Sequence, residues 1–171
     1  ALGYPAHAAG RDFGGALIPW PGPDGAQLVV GEMTSARQPN VFSSGRVHRY
    51  AWGPVGFVPG ATFDGWPDHG GSDQAGADLA SGDFDGDGFV DLAVLAREDD
   101  RPAVFDPAVY INPQDCPGAR DRVGGVHVFR GLADGSLAAA PSFSWYGDDD
   151  GQRIERLAGG FDADGDGRDD L

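Results

Sequence analysis

Lysine is missing from this 171-residue chain: all 12 cationic residues are arginine. Glutamate is nearly missing as well, with 3 Glu against 24 Asp, so the formal net charge of −15 is carried by the short carboxylate. Asp competes for nearby backbone donors and forms helix poorly, whereas Glu favours helix, so this acidity belongs to turns. A single cysteine, Cys116, excludes an internal disulfide and leaves either a buried thiol or pairing outside this segment. No apolar run approaches the ~20 residues of a membrane helix, so no membrane span is expected in this segment. A pI near 4.3 argues against nucleic acid, because the long-range field repels a polyanion. The chain opens on Ala1 without a charged-then-apolar leader, so a secretion signal is expected to be removed or not included.

What is present points to β structure. Gly and Pro together make 42 of 171 residues, close to the level at which low complexity becomes a concern. Against that, 40% hydrophobic residues with 4 Trp and 10 Phe are enough to bury a core, and they sit in short clusters separated by Gly. The composition reads as turn-rich all-β.

The chain repeats itself. Gly82-Asp83-Phe84-Asp85-Gly86-Asp87-Gly88 returns as Phe161-Asp162-Ala163-Asp164-Gly165-Asp166-Gly167, with Asp83 matching Asp162 at an offset of 79. Val47-His48 matches Val126-His127, and Trp66 matches Trp145, at the same offset of 79. Leu28 matches Leu92 at 64, so 15 extra residues fall between Leu92 and Val126. They are assigned to a surface insertion over residues 97–122, which holds Pro102, Pro107, Pro113, Pro117 and Cys116.

Each unit shows four short strand candidates bounded by Gly, Asp or Pro: Phe13–Ile18, Gln27–Gly31, Arg46–Trp52 and Phe57–Phe63, then Ala77–Gly82, Val90–Ala96, Gly125–Arg130 and Ser142–Tyr146. Helical periodicity is lacking. The expected fold is all-β, a β-propeller segment of four-stranded antiparallel blades. Unit 1 covers about 11–66, unit 2 about 75–147, and the start of a third unit about 151–171, an incomplete ring that needs further blades from chain not included here.

In Asp83-x-Asp85-Gly86-Asp87-Gly88-x-x-Asp91 the carboxylates fall at positions 1, 3, 5 and 9 of a tight loop. Ca²⁺ takes six to eight oxygens, which converging carboxylates, a backbone carbonyl at Phe89 and water would supply. Gly86 and Gly88 can adopt positive φ and let the chain curl around an ion. An isolated Asp-Gly pair reads as a solvated turn, but several carboxylates held together without a cation repel one another. The pattern is not an EF-hand or a dockerin-type loop, since position 12 is Val94 where a Glu is required and a strand-like run follows. Gly-Gly-x-Gly-x-Asp nonapeptides are lacking, which excludes an RTX roll.

The segments Gly82 to Val94 and Leu157 to Leu171, with Gly151-x-Arg153-Ile154 before the second, resemble the FG-GAP repeat of the integrin α-subunit β-propeller and its bacterial FG-GAP/VCBS-like relatives. The resemblance implies that the Asp loop joins the first two strands of a blade and binds Ca²⁺. Carried onto this chain it implies two sites: Asp83, Asp85, Asp87, Asp91 and the Phe89 carbonyl, then Asp162, Asp164, Asp166, Asp170 and the Arg168 carbonyl. The first unit departs from the pattern, offering only Asp24 in Pro21 to Gln27, and no metal is expected there.

Other candidates receive plainer readings. Asp148-Asp149-Asp150 reads as a solvated acidic turn, with an auxiliary cation or ligand contact as the alternative. His48 and His127 hold equivalent strand positions, which indicates packing and not catalysis, while His7 and His69 stay unassigned. Trp66 and Trp145 read as blade core, with a sugar-stacking platform as the alternative. Nucleophile elbow, zinc-protease and phosphate-loop motifs are lacking, so no catalytic residue is expected. The functional expectation is an extracellular, secreted or cell-surface calcium-binding segment for adhesion or recognition of a protein or carbohydrate ligand. The alternatives are the propeller part of a secreted polysaccharide lyase or hydrolase, and a structural spacer.

Overall fold

The computed structural model describes residues 12–22, 25–34, 45–64, 73–99, 122–148 and 153–171. Trp66, Cys116, His7, His69, Asp24, Asp149 and Asp150, with residues 100–121 of the insertion, lie outside the described residues. The expected all-β class is what the chain adopts. Among the described residues eight strands form two four-stranded antiparallel meanders: β1 (Phe13–Gly22), β2 (Gly25–Glu32), β3 (Arg46–Gly53) and β4 (Gly56–Asp64), then β5 (Ala75–Gly82), β6 (Asp91–Ala96), β7 (Gly125–Phe129) and β8 (Phe143–Tyr146). Each expected strand is found, with ends displaced by up to four residues. The largest displacement is at β1, which continues through Pro19 and Pro21 to Gly22. As an edge strand paired only with β2, it tolerates two residues without an N–H to donate.

The two sheets pack through β5, the first strand of the second sheet, which lies against β1, β2 and β3. A short parallel bridge joins Gly45 to Ala75. Close approach needs Gly31, because a Cβ there would collide with the Gly76 carbonyl. One core cluster spans both sheets, with Ala16, Trp20, Val29 and Val47 from the first meeting Leu79, Leu92, Val94 and Phe129 from the second. The far face of the second sheet buries Ala77, Ala93, Leu95 and Val126 against Ile154 and Leu157. With cover on both faces, β6 and β7 are buried at every position, which accounts for the unbroken apolar run Leu92-Ala93-Val94-Leu95.

The outermost strand differs. β8 pairs only with β7 and alternates exposed and half-buried residues, with Phe143 and Trp145 on its open side. Trp145 is 55% exposed, so the expectation that it fills the blade core is corrected. In the β7–β8 register it is Ser144 that stands opposite His127, and Trp145 stands opposite Val126 on the other face.

Candidate metal centre

Strands β5 and β6 close on the pair Gly82↔Asp91, and the eight residues Asp83 to Val90 form the connection between them. The corresponding hairpin of the first sheet closes on Gly22↔Gly25, with two residues between. The acidic loop is therefore an expansion of the first hairpin of the second sheet, held at its base by a regular ladder.

Local chemistry dictates its shape. Asp83 turns its carboxylate inward, with Oδ1 accepting from Gly86 N (2.9 Å) and Asp87 N (3.0 Å) and Oδ2 from Gly88 N (2.8 Å). Asp85 Oδ1 accepts from Asp87 N at 3.1 Å, and Asp87 Oδ1 from Phe89 N at 2.9 Å, so each carboxylate caps the turn that follows it. Gly86 and Gly88 sit at φ of 77° and 87°, as the curled loop requires.

The loop of residues 162–170 holds the same bonds 79 residues later. Asp162 accepts from Gly165, Asp166 and Gly167, Asp164 from Asp166, and Asp166 from Arg168. The position-9 carboxylates match too: Asp91 Oδ2 accepts from Phe84 N at 3.1 Å and Asp170 Oδ2 from Ala163 N at 2.7 Å. An antiparallel bridge between Phe161 and Asp170 closes the second loop.

Of the sequence-predicted ligands, the fold gathers two triads. Asp83, Asp85 and Asp87 each place one carboxylate oxygen within 4.8 Å of the others, and so do Asp162, Asp164 and Asp166. Either group is suited by its donor chemistry to a hard divalent cation, and either could hold a metal ion. Asp91 occupies a different position. It is buried beneath the loop, and its second oxygen accepts from Gly131 N at 2.7 Å, tying the loop to the turn after β7. Burial, and then the neighbouring charges of Asp85 and Asp87, push its carboxyl up from the ordinary value, against the pull of the Gly131 and Phe84 N–H groups. Asp170 is half-buried at the foot of the second loop, while Phe89 and Arg168 are exposed at the rims.

The two loops also touch. Asp83 N donates to Asp169 Oδ2 at 2.8 Å, and Asp169 N donates to the Asp83 carbonyl at 2.9 Å. Arg168 lays its stem over Gly86, whose missing side chain makes the room.

Several polar contacts were not foreseen. Arg130, just beyond β7, places Nε 2.6 Å from Asp85 Oδ2 and 3.2 Å from Asp87 Oδ2. The two strand histidines are buried, as a packing role requires, but each contacts a buried carboxylate: His48 Nε2 with Glu32 Oε2 at 2.7 Å, and His127 Nε2 with Asp99 Oδ2 at 2.6 Å. His127 Nδ1 also meets Ser144 Oγ at 2.8 Å. A signal existed for the first pair, since Glu32 lies two residues from Val30, the cross-strand partner of His48, on the same face. In the second sheet the equivalent position is Ala96, and Asp99 from the next turn supplies the carboxylate.

No protein-family model matches the chain, and no curated protein is significantly similar to it. Among the described residues no helix is long and apolar enough to cross a membrane.

Proposed function

We propose that the two Asp loops bind structural Ca²⁺ and that the chain is a calcium-stabilised β-propeller segment of the FG-GAP/VCBS type, acting outside the cell in adhesion or ligand recognition. The observation that carries the metal reading is the pair of triads, built by the same hydrogen bonds in two hairpins. Backbone N–H groups hold the Asp83 and Asp162 carboxylates in the loops, which lessens the ordering entropy that binding an ion would cost. In the first loop Asp83, Asp85, Asp87, Asp91 and the Phe89 carbonyl would hold the ion, with Asp91 also tying the loop to Gly131. In the second, Asp162, Asp164, Asp166, Asp170 and the Arg168 carbonyl would do so. Two divalent ions would lower the net charge from −15 to −11.

The Asp169 contact to Asp83 gives such ions a structural role, because ordering either loop fixes the face that docks on the other. Calcium affinities of extracellular modules, often ~0.1–1 mM, suit a secreted setting better than the cytosol. The recognition half of the proposal is supported by exposed aromatics on β3, β4 and β8. Trp52 and Phe57 stack edge-to-face at 5.0 Å, and Phe143 and Trp145 stand on the open side of β8.

The test is thermal unfolding with Ca²⁺ and with chelator. At free Ca²⁺ about 100 times the dissociation constant, one site adds about 2.7 kcal/mol. For a chain of this size that raises the midpoint by roughly 5–11 °C. Identical melting curves in the two conditions would defeat structural calcium.

A further inference from the structure

We propose that Arg130 is a built-in competitor for the cation site of the 83–91 loop, so that this loop takes up Ca²⁺ more weakly than its counterpart at 162–170. The inference rests on the proposed calcium binding and concerns its regulation. Asp85 Oδ1 and Asp87 Oδ1 are committed to the backbone N–H groups of Asp87 and Phe89. The two Oδ2 atoms make none of these turn-capping bonds, and Arg130 Nε lies 2.6 Å from one and 3.2 Å from the other. A guanidinium on those oxygens and a divalent ion drawing on them oppose each other, first by sharing the same lone pairs and then by like charge. Arg130 must withdraw, or give up part of its contact, when the ion enters.

The second loop is the internal control. Asp164 and Asp166 make the same turn-capping bonds, to Asp166 N at 3.0 Å and Arg168 N at 2.9 Å. Among the described residues no cation pairs with Asp164 or Asp166. Two loops alike in their capping bonds and in the carboxylates at positions 1, 3, 5 and 9 thus differ in the arginine on those oxygens, and also at positions 7 and 8, where Phe89 and Val90 stand against Arg168 and Asp169. The backbone carbonyl of Arg130 accepts from Ala138 N, and its side chain is 48% exposed, so solvent is open to the guanidinium when it leaves the carboxylates. Half-exposed pairs of this kind are each worth up to about fivefold in an equilibrium, so two together oppose the ion by a factor on the order of ten.

Calorimetric titration of the 171-residue chain with Ca²⁺ tests this, using Asp164→Ala to isolate the first loop and Asp85→Ala to isolate the second. Arg130→Gln should tighten the first loop on the order of tenfold and leave the second unchanged, with Arg130→Lys in between because it keeps the charge and loses the planar donor fork. The gap between the loops should narrow as monovalent salt rises from 0.1 to 1 M, where screening shortens from about 10 to 3 Å. Ca²⁺ affinity of the first loop that is unchanged or weakened by Arg130→Gln would overturn the competitor role while leaving the calcium reading intact. Failure of both isolated loops to take up Ca²⁺ would overturn the two together.

Discussion

Asp91→Ala should destabilise the metal-free protein by about 3 kcal/mol. The carboxylate is almost fully buried and accepts two backbone hydrogen bonds, from Gly131 N at 2.7 Å and Phe84 N at 3.1 Å. Bonds to a charged acceptor contribute roughly 1.5–3 kcal/mol each, and removing the acceptor strands the donors, so the gross loss is about 3–6 kcal/mol. Opposing this, burial and the charges of Asp85 and Asp87 disfavour the ionised form of Asp91, and that strain disappears with the side chain. The net expectation therefore lies at the low end. Asp91→Asn keeps one acceptor oxygen and relieves the charge, and should cost about half as much. Guanidinium unfolding in chelator measures both without interference from ion loss, with the midpoint shifting at constant slope. An alanine variant within about 0.5 kcal/mol of the parent would refute the reasoning, since it would mean that the loop and the turn after β7 are not joined through this carboxylate.

Two further outcomes follow from the buried groups of the second sheet. Burial and the negative charges of Asp99 and Asp73 push the Tyr146 hydroxyl up to about 12, so the folded state favours the neutral phenol. That preference is fully present below pH 10 and is lost as pH rises through about 12; the fall in melting temperature over this window should be shallower in Tyr146→Phe, and parallel slopes would count against it. His127→Leu removes the imidazole partner of the buried Asp99 and should cost about 3–5 kcal/mol at neutral pH, whereas a loss below 1 kcal/mol in denaturant unfolding would show that the pair is not a structural one.

Most of the fold was legible because its signals are local. Eight of the sixteen strand ends are Gly or Asp, and the curl of the loops follows from glycines at positive φ and from Asp side chains that cap the turns after them. What stayed hidden depends on which faces the sheets cover. Trp145 and Trp66 share a repeat position, yet a strand with a neighbour on one side only leaves Trp145 in solvent. Asp91 belongs to the ligand pattern by its spacing, and its burial and its bond to Gly131, which tie the loop to the turn after β7, have no signature in that spacing. Arg130 meets Asp85 and Asp87 at sequence separations of 45 and 43, through the β5–β6–β7 order, a contact without a sequence signature. The carboxylate partner of His127 moved from the strand position occupied by Ala96 to Asp99, so a search at equivalent positions would have passed over it.

The central claim is that both Asp loops bind a divalent cation. It is tested most directly by calorimetric titration of Ca²⁺ into the chain and into the Asp85→Ala, Asp164→Ala double variant. The account predicts about two ions per chain for the parent and none for the double variant. Undiminished uptake by the double variant, or no uptake by the parent, would contradict it.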